Sequence, residues 1–572
     1  MPEHVDVLIV GGGGVGQAMA LQLGRAGIST LLVERRGGRS THPKALGAHQ
    51  RSMELYREWG LADEITAAAL PPEQALGFGW MTRVNGTELG RVMLVDDIDK
   101  LDDYSACTRE RMTFIAQVKL EGILARAVER QDTVQIRFGT EAVAIEQDDA
   151  EARVTLREAE GGGTYQVRAS YVVAADGVRS PLRRMLAITE TADPPYGESV
   201  NVYLRSPGMD ALRAGRPYVL WWTVNADSYG TFWPVGFDQR WIYNFEGDIS
   251  KPDDYFNKAF CTDRVRRSAG AADLDVEVLD ILRWRHERAV ADQWRRGRVF
   301  LAGDAAHRFP PHGGFGLNSG VQDTANLAWK LVAVLRGQAG DALLDSYQAE
   351  RKPVAELNAE QVTLNTKRLQ ETGWLSDRFD LAAIERPEGA RLRAAIADAV
   401  PRQREQFHSL GQQFGMIYES SAVVPDGRPP VRSTIADYHM TSTPGARAPQ
   451  VWLTTAAGRR LQTLDLIDGG FVLLAGSDGA GWIAAAAALR HRDLPLSAYR
   501  VAEDGDLSFA DNGSFCQSFE VERGGAVLIR PDGHVGFRAQ DLPGDPTEAL
   551  RNALRRILDT APPAAQPPAA QP

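Results

Sequence analysis

The sequence predicts a mixed α/β and α+β protein. A dinucleotide-type β-α-β domain is interrupted by an antiparallel sheet and followed by a second α/β domain. Three observations predict it. The apolar run VDVLIV (5–10) ends in GGGG and leads into helical spacing and a second short apolar run, a β-α-β unit of about 30 residues. Between about 195 and 285 aromatic and polar residues alternate, as in Tyr218 to Trp222 and Thr231 to Trp233, the pattern of antiparallel strands. After the linker-like VVPDGRPP (423–430), short strand and helix patterns alternate again from 431 to 560.

In chain order, Val5 to Val10 reads as a buried strand, and Val15 to Ala26 as a helix stopped by Gly27. Thr30 to Val33 is the next strand, closed by Glu34, and Met53 to Trp59 a helix ending at Gly60. Regularity is lost over 70–106. It returns with a helix from Gln117 to Arg130 and short strands at 133–138, 142–147, 152–158 and 165–168. Tyr171 to Ala175 is a separate buried strand that stops at Asp176-Gly177. Val299 to Ala302 is another. From Leu317 a helix carries Val321, Ala325, Ala328, Val332 and Leu335 on one face, and charged helical sequence continues to roughly 420.

The chain has 572 residues, enough for several domains, and carries a formal net charge of -11. That charge argues against nucleic acid as the main partner. Three cysteines, Cys107, Cys261 and Cys516, form no C-x-x-C and no metal-ligand spacing, so neither a disulfide framework nor a metal site is expected. No apolar run reaches the roughly 18 residues of a membrane helix, and MPEH leads straight into a strand with no basic leader. A cytoplasmic protein without membrane contact is the expectation, with APPAAQPPAAQP (561–572) as a disordered tail.

Three motifs carry the chemistry. In Gly11-x-Gly13-x-x-Gly16, Gly11 permits a tight turn, Gly13 lets a pyrophosphate touch the backbone and Gly16 allows close helix–strand packing. Glu34, eighteen residues beyond Gly16, is placed to accept hydrogen bonds from an adenosine ribose. Arg35 either lies over the adenine or is a solvated charge. The second motif is Asp176-Gly177-x-x-Ser180-x-x-Arg183. Alone it reads as a helix start, with Ser180 capping and Arg183 exposed. The third is GDAAHRFPPHGGFGLNSGVQD (303–323). Asp304 ends a strand and can accept hydrogen bonds from a polyol such as ribityl. Pro310-Pro311 force an extended turn, Gly313, Gly314 and Gly316 admit a planar ring, and a helix N-terminus near Leu317 points at it. Together they point to FAD.

These stretches resemble the single-component FAD-dependent aromatic hydroxylases, the group A flavoprotein monooxygenases. GGGGVG, DGVRSPLR (176–183) and the 303–323 stretch fit that family's three motifs, as do NLAWKL (326–331) and LLDSYQAERKPVA (343–355). PGARAPQVWL (444–453), LDLIDGGFVLLAG (464–476) and GAVLIRPDGHVGFRA (525–539) resemble its thioredoxin-like C-terminal domain, found in phenol, resorcinol and aromatic polyketide hydroxylases. The resemblance implies a discontinuous Rossmann-like FAD-binding domain at 1–75, 107–185 and 287–360. It implies a substrate domain at 76–106 and 186–286, a helical connection at 361–430 and a thioredoxin-like domain at 431–560. It also adds Val15, Lys44, Gln117, Leu317 and Asn318 to the cofactor-binding set, with Pro311, Gly313 and Gly314 shaping the flavin site. Gly14, Lys44, Phe315, Leu317 and Ala187 depart from the residues usual there, and the missing C-x-x-C excludes thiol redox work in the last domain.

What the resemblance implies chemically is NAD(P)H reduction of FAD, dioxygen uptake and hydroxylation of an aromatic ring by a flavin C4a-hydroperoxide. No second G-x-G-x-x-G follows a strand, and GSDGAG (476–481) has the wrong order, so the nicotinamide lacks a Rossmann domain of its own, and the resemblance implies that NADH or NADPH binds in a surface groove. No catalytic acid or base is assigned, because each of the ten histidines reads more simply as structural or surface. Trp221, Trp222, Phe232, Trp233 and Pro234 are the candidate substrate wall, or else alternate members of it fill the sheet core. An aromatic wall favours a polycyclic polyketide over a single-ring phenol. Baeyer–Villiger or epoxidising chemistry, and a non-catalytic flavin-binding protein, are the alternatives. A homodimer stays open.

Overall fold

The computed structural model describes residues 3–95, 107–227, 229–236, 238–252, 254–374, 379–490, 494–511 and 513–560. The expected tail at 561–572, and the end of the irregular 70–106 stretch, lie outside the described residues. The chain divides into two units. One comprises Met1–Thr324, Lys352–Gln413 and Ile435–Asp437; the other comprises Ala325–Arg351, Phe414–Thr434 and Tyr438–Pro572. The second unit therefore draws in 325–351 and 414–434 beside the C-terminal segment.

The first unit is built on a mostly parallel sheet. Glu3–Val10 lies between Thr30–Glu34 and Thr164–Ala174, and the sheet extends to Val134–Phe138 on one side and Val299–Leu301 on the other. The register pairs Val10 with Val33 and with Ala174, and Ala174 with Leu301. Val7, Leu8 and Ile9 have no exposed surface. A parallel strand covered on both faces needs such an unbroken apolar run, because neither side meets water. Thr164–Ala174 is one continuous strand where the sequence suggested two short ones at 165–168 and 171–175. It is laddered on both edges, antiparallel to Ala152–Glu158 and parallel to Glu3–Val10, and that pairing carries the backbone through Ala169-Ser170.

A second sheet has seven strands in the order Glu277–His286, Gly197–Arg205, Arg240–Glu246, Tyr229–Pro234, Tyr218–Val224, Gly77–Met81 and Glu88–Met93. Side chains alternate between its faces. Trp221, Phe232 and Tyr243 form one packed face with Cys261, Val265 and Ala269 of the helix Lys258–Ala269. The opposite face carries Trp222, Thr231, Asn244, Asn201 and Leu282, which are directly registered neighbours across five strands.

The second unit centres on a four-stranded sheet in the order Leu496–Arg500, Phe471–Ala475, Ala526–Ile529 and Val535–Ala539. The helices Ala480–Leu489 and Pro546–Ile557 pack against it through Trp482, Ala485, Leu550 and Leu554. This unit also buries four charges. Lys330 Nζ lies 2.7 Å from Glu350 Oε2, Arg530 contacts both Glu350 oxygens at 2.6 and 2.8 Å, and Asp532 bonds Arg530 in turn. Burial opposes the charged form of Glu350, but Arg530 and Lys330 outweigh it and hold the carboxyl below its ordinary range. Burial lowers Lys330 to about 8 despite its acidic partners. NLAWKL and LLDSYQAERKPVA thus supply Lys330 and Glu350 to a charge cluster completed from the C-terminal segment.

Breaking a buried pair by removing one partner costs about 3–5 kcal/mol. Glu350→Gln leaves Lys330 and Arg530 under-compensated, so the denaturation transition of the second unit should shift by that order, as followed by tryptophan fluorescence. Deleting 431–572 removes Arg530 and Asp532 from Glu350 and strips the apolar cover from Ala333 and Leu343. That truncation should be insoluble rather than a folded protein lacking one activity.

Candidate active site

The strand register places the three motifs side by side. Glu34 ends its strand and Gly11, Asp176 and Gly303 follow the carboxyl ends of theirs, all at the edge where open α/β sheets bind ligands. Gly11 has φ +115°, and a Cβ there would lie 2.1 Å from the Ala175 carbonyl oxygen, so no other residue fits. Gly16 is a packing glycine. Its absent Cβ leaves room for the Gly11 carbonyl oxygen, which would otherwise be 1.9 Å away, and Gly16 is not among the residues lining the cavity at this edge.

A cavity of about 650 Å³ opens at this edge. Gly11, Gly13, Val15, Glu34, Arg35 and Lys44 line it, joined by Gln117, Asp176, Asp304, Pro311, Gly314, Gly316 and Leu317. Both Glu34 oxygens accept backbone N–H groups, from Gly12 at 2.8 Å and Arg36 at 3.0 Å, so the side chain is rigidly held. Asp304 is exposed to the cavity that it lines. The surrounding protein raises its carboxyl, while His307, Lys44 and Arg308 pull it back.

The second motif is tied to the third. Ser180 caps the short helix Pro181–Met185 by accepting from the Arg183 N–H at 3.0 Å, as the helix-start reading expects. Arg183 is not exposed, however: it is buried and donates to the Ala305 carbonyl at 2.8 Å. Asp323, at the end of the third motif, accepts the Gly303 N–H at 3.2 Å and bonds His307 at 2.7 Å. These bonds pin the turn that carries Asp304. The helix begins at Phe315, two residues before the expected Leu317.

Asn318 does not line the cavity. Its amide donates to the Gly47 and Gly314 carbonyls and accepts the His49 N–H, so it clamps two loops together. Glu121 was not anticipated. It lies on the helix Gln117–Glu129, accepts the Gly14 N–H at 3.1 Å and the Gln117 side-chain amide at 2.7 Å, and lines the cavity beside the Gly14–Arg25 helix N-terminus. Its one sequence signal was the four-residue spacing from Gln117.

The residues present fit FAD on three observations. The helix Gly14–Arg25 has no side-chain cap at Gly13. A Cβ at Gly177 or Gly316 would meet nothing within 4 Å, so open space lies against both backbones. Asp176 lines the cavity together with Arg35, Arg36, Arg39 and Lys44, and its Oδ1 is a buried acceptor without a partner.

The other end of the cavity is aromatic and amide-lined. Trp222 and Trp233 belong to its wall, whereas Trp221, Phe232 and Pro234 do not. Trp221 and Phe232 are registered partners on the opposite face and fill the sheet core, and Pro234 shares the strand parity of Phe232. Trp222 stacks on Trp80 at 4.4 Å. Three histidines that the sequence left as structural or surface residues also line the cavity: His49, His286 and His312. Burial holds all three neutral. It lowers His49 to about 4 and His312 to about 3, and places His286 well below its ordinary value. His49 Nε2 donates to the Gly313 carbonyl at 2.9 Å. No group of three or more metal-ligating side chains occurs among the described residues, and no described helix is long and apolar enough to cross a membrane.

Residues 4–362 match the model of the FAD binding domain family, and 441–561 match that of the aromatic-ring hydroxylase C-terminal family. The chain is 36% identical to a tetracenomycin A2 monooxygenase-dioxygenase of Streptomyces glaucescens, over 97% of each chain. It is 35% identical to the aklavinone 12-hydroxylase RdmE of Streptomyces purpurascens, covering 98% of this chain and 100% of that one. The solved structure of the flavin-dependent monooxygenase PieE with FAD and substrate superposes with a TM-score of 0.89 at 32% identity, over 98% of this chain and 100% of that chain. The motif geometry and these likenesses agree, and the chain belongs to the FAD-dependent aromatic-ring hydroxylases, the flavoprotein monooxygenases.

Proposed function

We propose that this monooxygenase hydroxylates a polycyclic aromatic substrate of the polyketide class, held between the 310–317 loop and the seven-stranded sheet. One observation carries the reading. A single cavity runs from the glycine-rich strand ends to the registered row Trp222, Thr231, Asn244, Asn201 and Leu282. A row five strands wide spans about 19 Å at the usual 4.8 Å interstrand spacing, which suits a fused-ring ligand better than one ring. The substrates named for the relatives, tetracenomycin A2 and aklavinone, support the same class.

When bound, FAD supplies the reduction by NAD(P)H and the activation of dioxygen that such a hydroxylation needs. The chain's own residues hold and enclose it. Gly11, Gly13 and Val15 would receive the pyrophosphate, with Arg35 and Lys44 contributing positive charge. Glu34 would accept from the adenosine ribose, and Asp304 from the ribityl chain. Asp176 and Gln117 would offer further polar contacts. Pro311, Gly313, Gly314, Gly316 and Leu317 would lie along the ring, while Asn318 positions that loop from behind. The neutral imidazoles and the tryptophans exclude water from the reacting ring without placing a charge beside it.

Purified protein should be yellow. A polycyclic hydroxyquinone should accelerate its NAD(P)H oxidation and yield a product heavier by one oxygen atom by mass spectrometry. Acceleration by single-ring phenols alone would sink the polycyclic reading. Asp304→Ala removes a charged acceptor worth about 1.5–3 kcal/mol, so FAD should bind roughly 10–100-fold more weakly. Wild-type flavin occupancy in that variant would refute the ribityl assignment.

A further inference from the structure

Two residues that line the aromatic end of the cavity, Asn201 and His286, each carry a buried polar atom without a partner. Asn201 is 4% exposed, its Oδ1 makes no hydrogen bond, and its side chain lines the cavity. It sits in an inner strand, between Arg240–Glu246 and Glu277–His286, a place where asparagine has no structural advantage. Its neighbour across the sheet, Asn244, is already engaged by the Trp284 indole N–H at 3.3 Å. His286 is 1% exposed and also lines the cavity. Its Nε2 is bonded to Ser199 Oγ at 2.7 Å, while Nδ1 has no partner. Trp284 packs on the His286 ring at 4.2 Å and fixes its plane.

An unpaired buried polar group is costly, and a sheet can fill such positions with apolar side chains at no loss of pairing. Two on adjacent strands of one cavity wall therefore point to a ligand that satisfies both. Their spacing restricts that ligand. Asn201 is registered opposite Leu282, and His286 opposite Gly197. The two positions are thus four residues apart along the sheet, about 13 Å at the backbone. Oxygens on a single ring span less than half of that backbone distance, whereas oxygens on different rings of a fused system come closer to it. The Ser199 hydroxyl can donate to or accept from Nε2, so Nδ1 can meet either a carbonyl or a hydroxyl. The amide of Asn201 offers the same choice.

We propose that Asn201 and His286 are a two-point specificity pair that hydrogen-bonds oxygen substituents on separate rings of a fused aromatic substrate. Burial keeps His286 neutral, so the pair recognises hydrogen-bonding groups rather than charge. The inference rests on the polycyclic reading above and adds the residues that select within it.

The FAD-loaded enzyme would be titrated with a hydroxyanthraquinone oxygenated on its two outer rings, and with resorcinol as a one-ring probe. Binding would be read from the flavin visible spectrum. Asn201→Leu and His286→Phe should each raise the Kd of the anthraquinone about tenfold, the increment expected for one hydrogen bond to a ligand. At most one of them should change the Kd of resorcinol by more than twofold. Thermal melting without probe supplies the second readout. Removing an orphaned amide should leave the midpoint of Asn201→Leu unchanged or higher, whereas a structural asparagine would lower it. Should Asn201→Leu unfold, Asn201→Ser takes its place in the titration. Anthraquinone binding by both variants within twofold of wild type would overturn the pair while leaving the polycyclic reading intact. A wild-type enzyme that binds resorcinol and not the anthraquinone would overturn both.

Discussion

Everything in the cofactor end of this protein depends on the register of one parallel ladder. Val10 is level with Val33 and Ala174, and Ala174 with Leu301. Four chain segments far apart in sequence therefore leave the sheet at one edge, and the residues that follow them become neighbours. A shift of one residue in any strand would turn its side chains to the other face and carry its motif out of line. The ladder also explains why the loops can be glycine-rich. Gly11 and Gly16 approach each other's backbone only because both flanking elements are immobilised by buried valine, leucine and isoleucine.

The loops are held by a second layer of polar contacts. Arg183 reaches the Ala305 carbonyl, Asp323 holds Gly303 and His307, and Asn318 ties 47–49 to Gly314. None of these three needs to touch a ligand to matter. They fix the backbone whose N–H and C=O groups and glycine surfaces define the cavity, and a site of this kind works only when its geometry is set beforehand. The second unit uses charge in another way. Lys330, Glu350, Arg530 and Asp532 neutralise one another inside it and join segments separated by nearly two hundred residues.

Much of the fold was legible because its signals are local. The strand Val5–Val10, the helix stopped at Gly27 and the acid closing the next strand follow from apolar period and turn chemistry, and the structure has them within a residue or two. Ala169-Ser170 is a weak local strand signal that divides 164–174 in two, and only the two ladders show the strand to be continuous. The substrate wall was half legible. Alternation announced that one face of the sheet differs from the other, but the cavity lies on the face of Trp222 and Trp233, not that of Trp221 and Phe232.

By itself the sequence determined the cofactor class, since phosphate, ribose and polyol binding each require particular residue types at short fixed spacings. It also determined which stretches form a sheet, because burial on one or both faces imposes its period directly. Only the tertiary structure decided that Glu121, His49, His286, His312 and Asn201 share the cavity, as their separations of tens to hundreds of residues carry no local pattern. Burial decided their chemistry too. The same imidazole that titrates near neutrality in water stays uncharged here, because removing it from water penalises the cation.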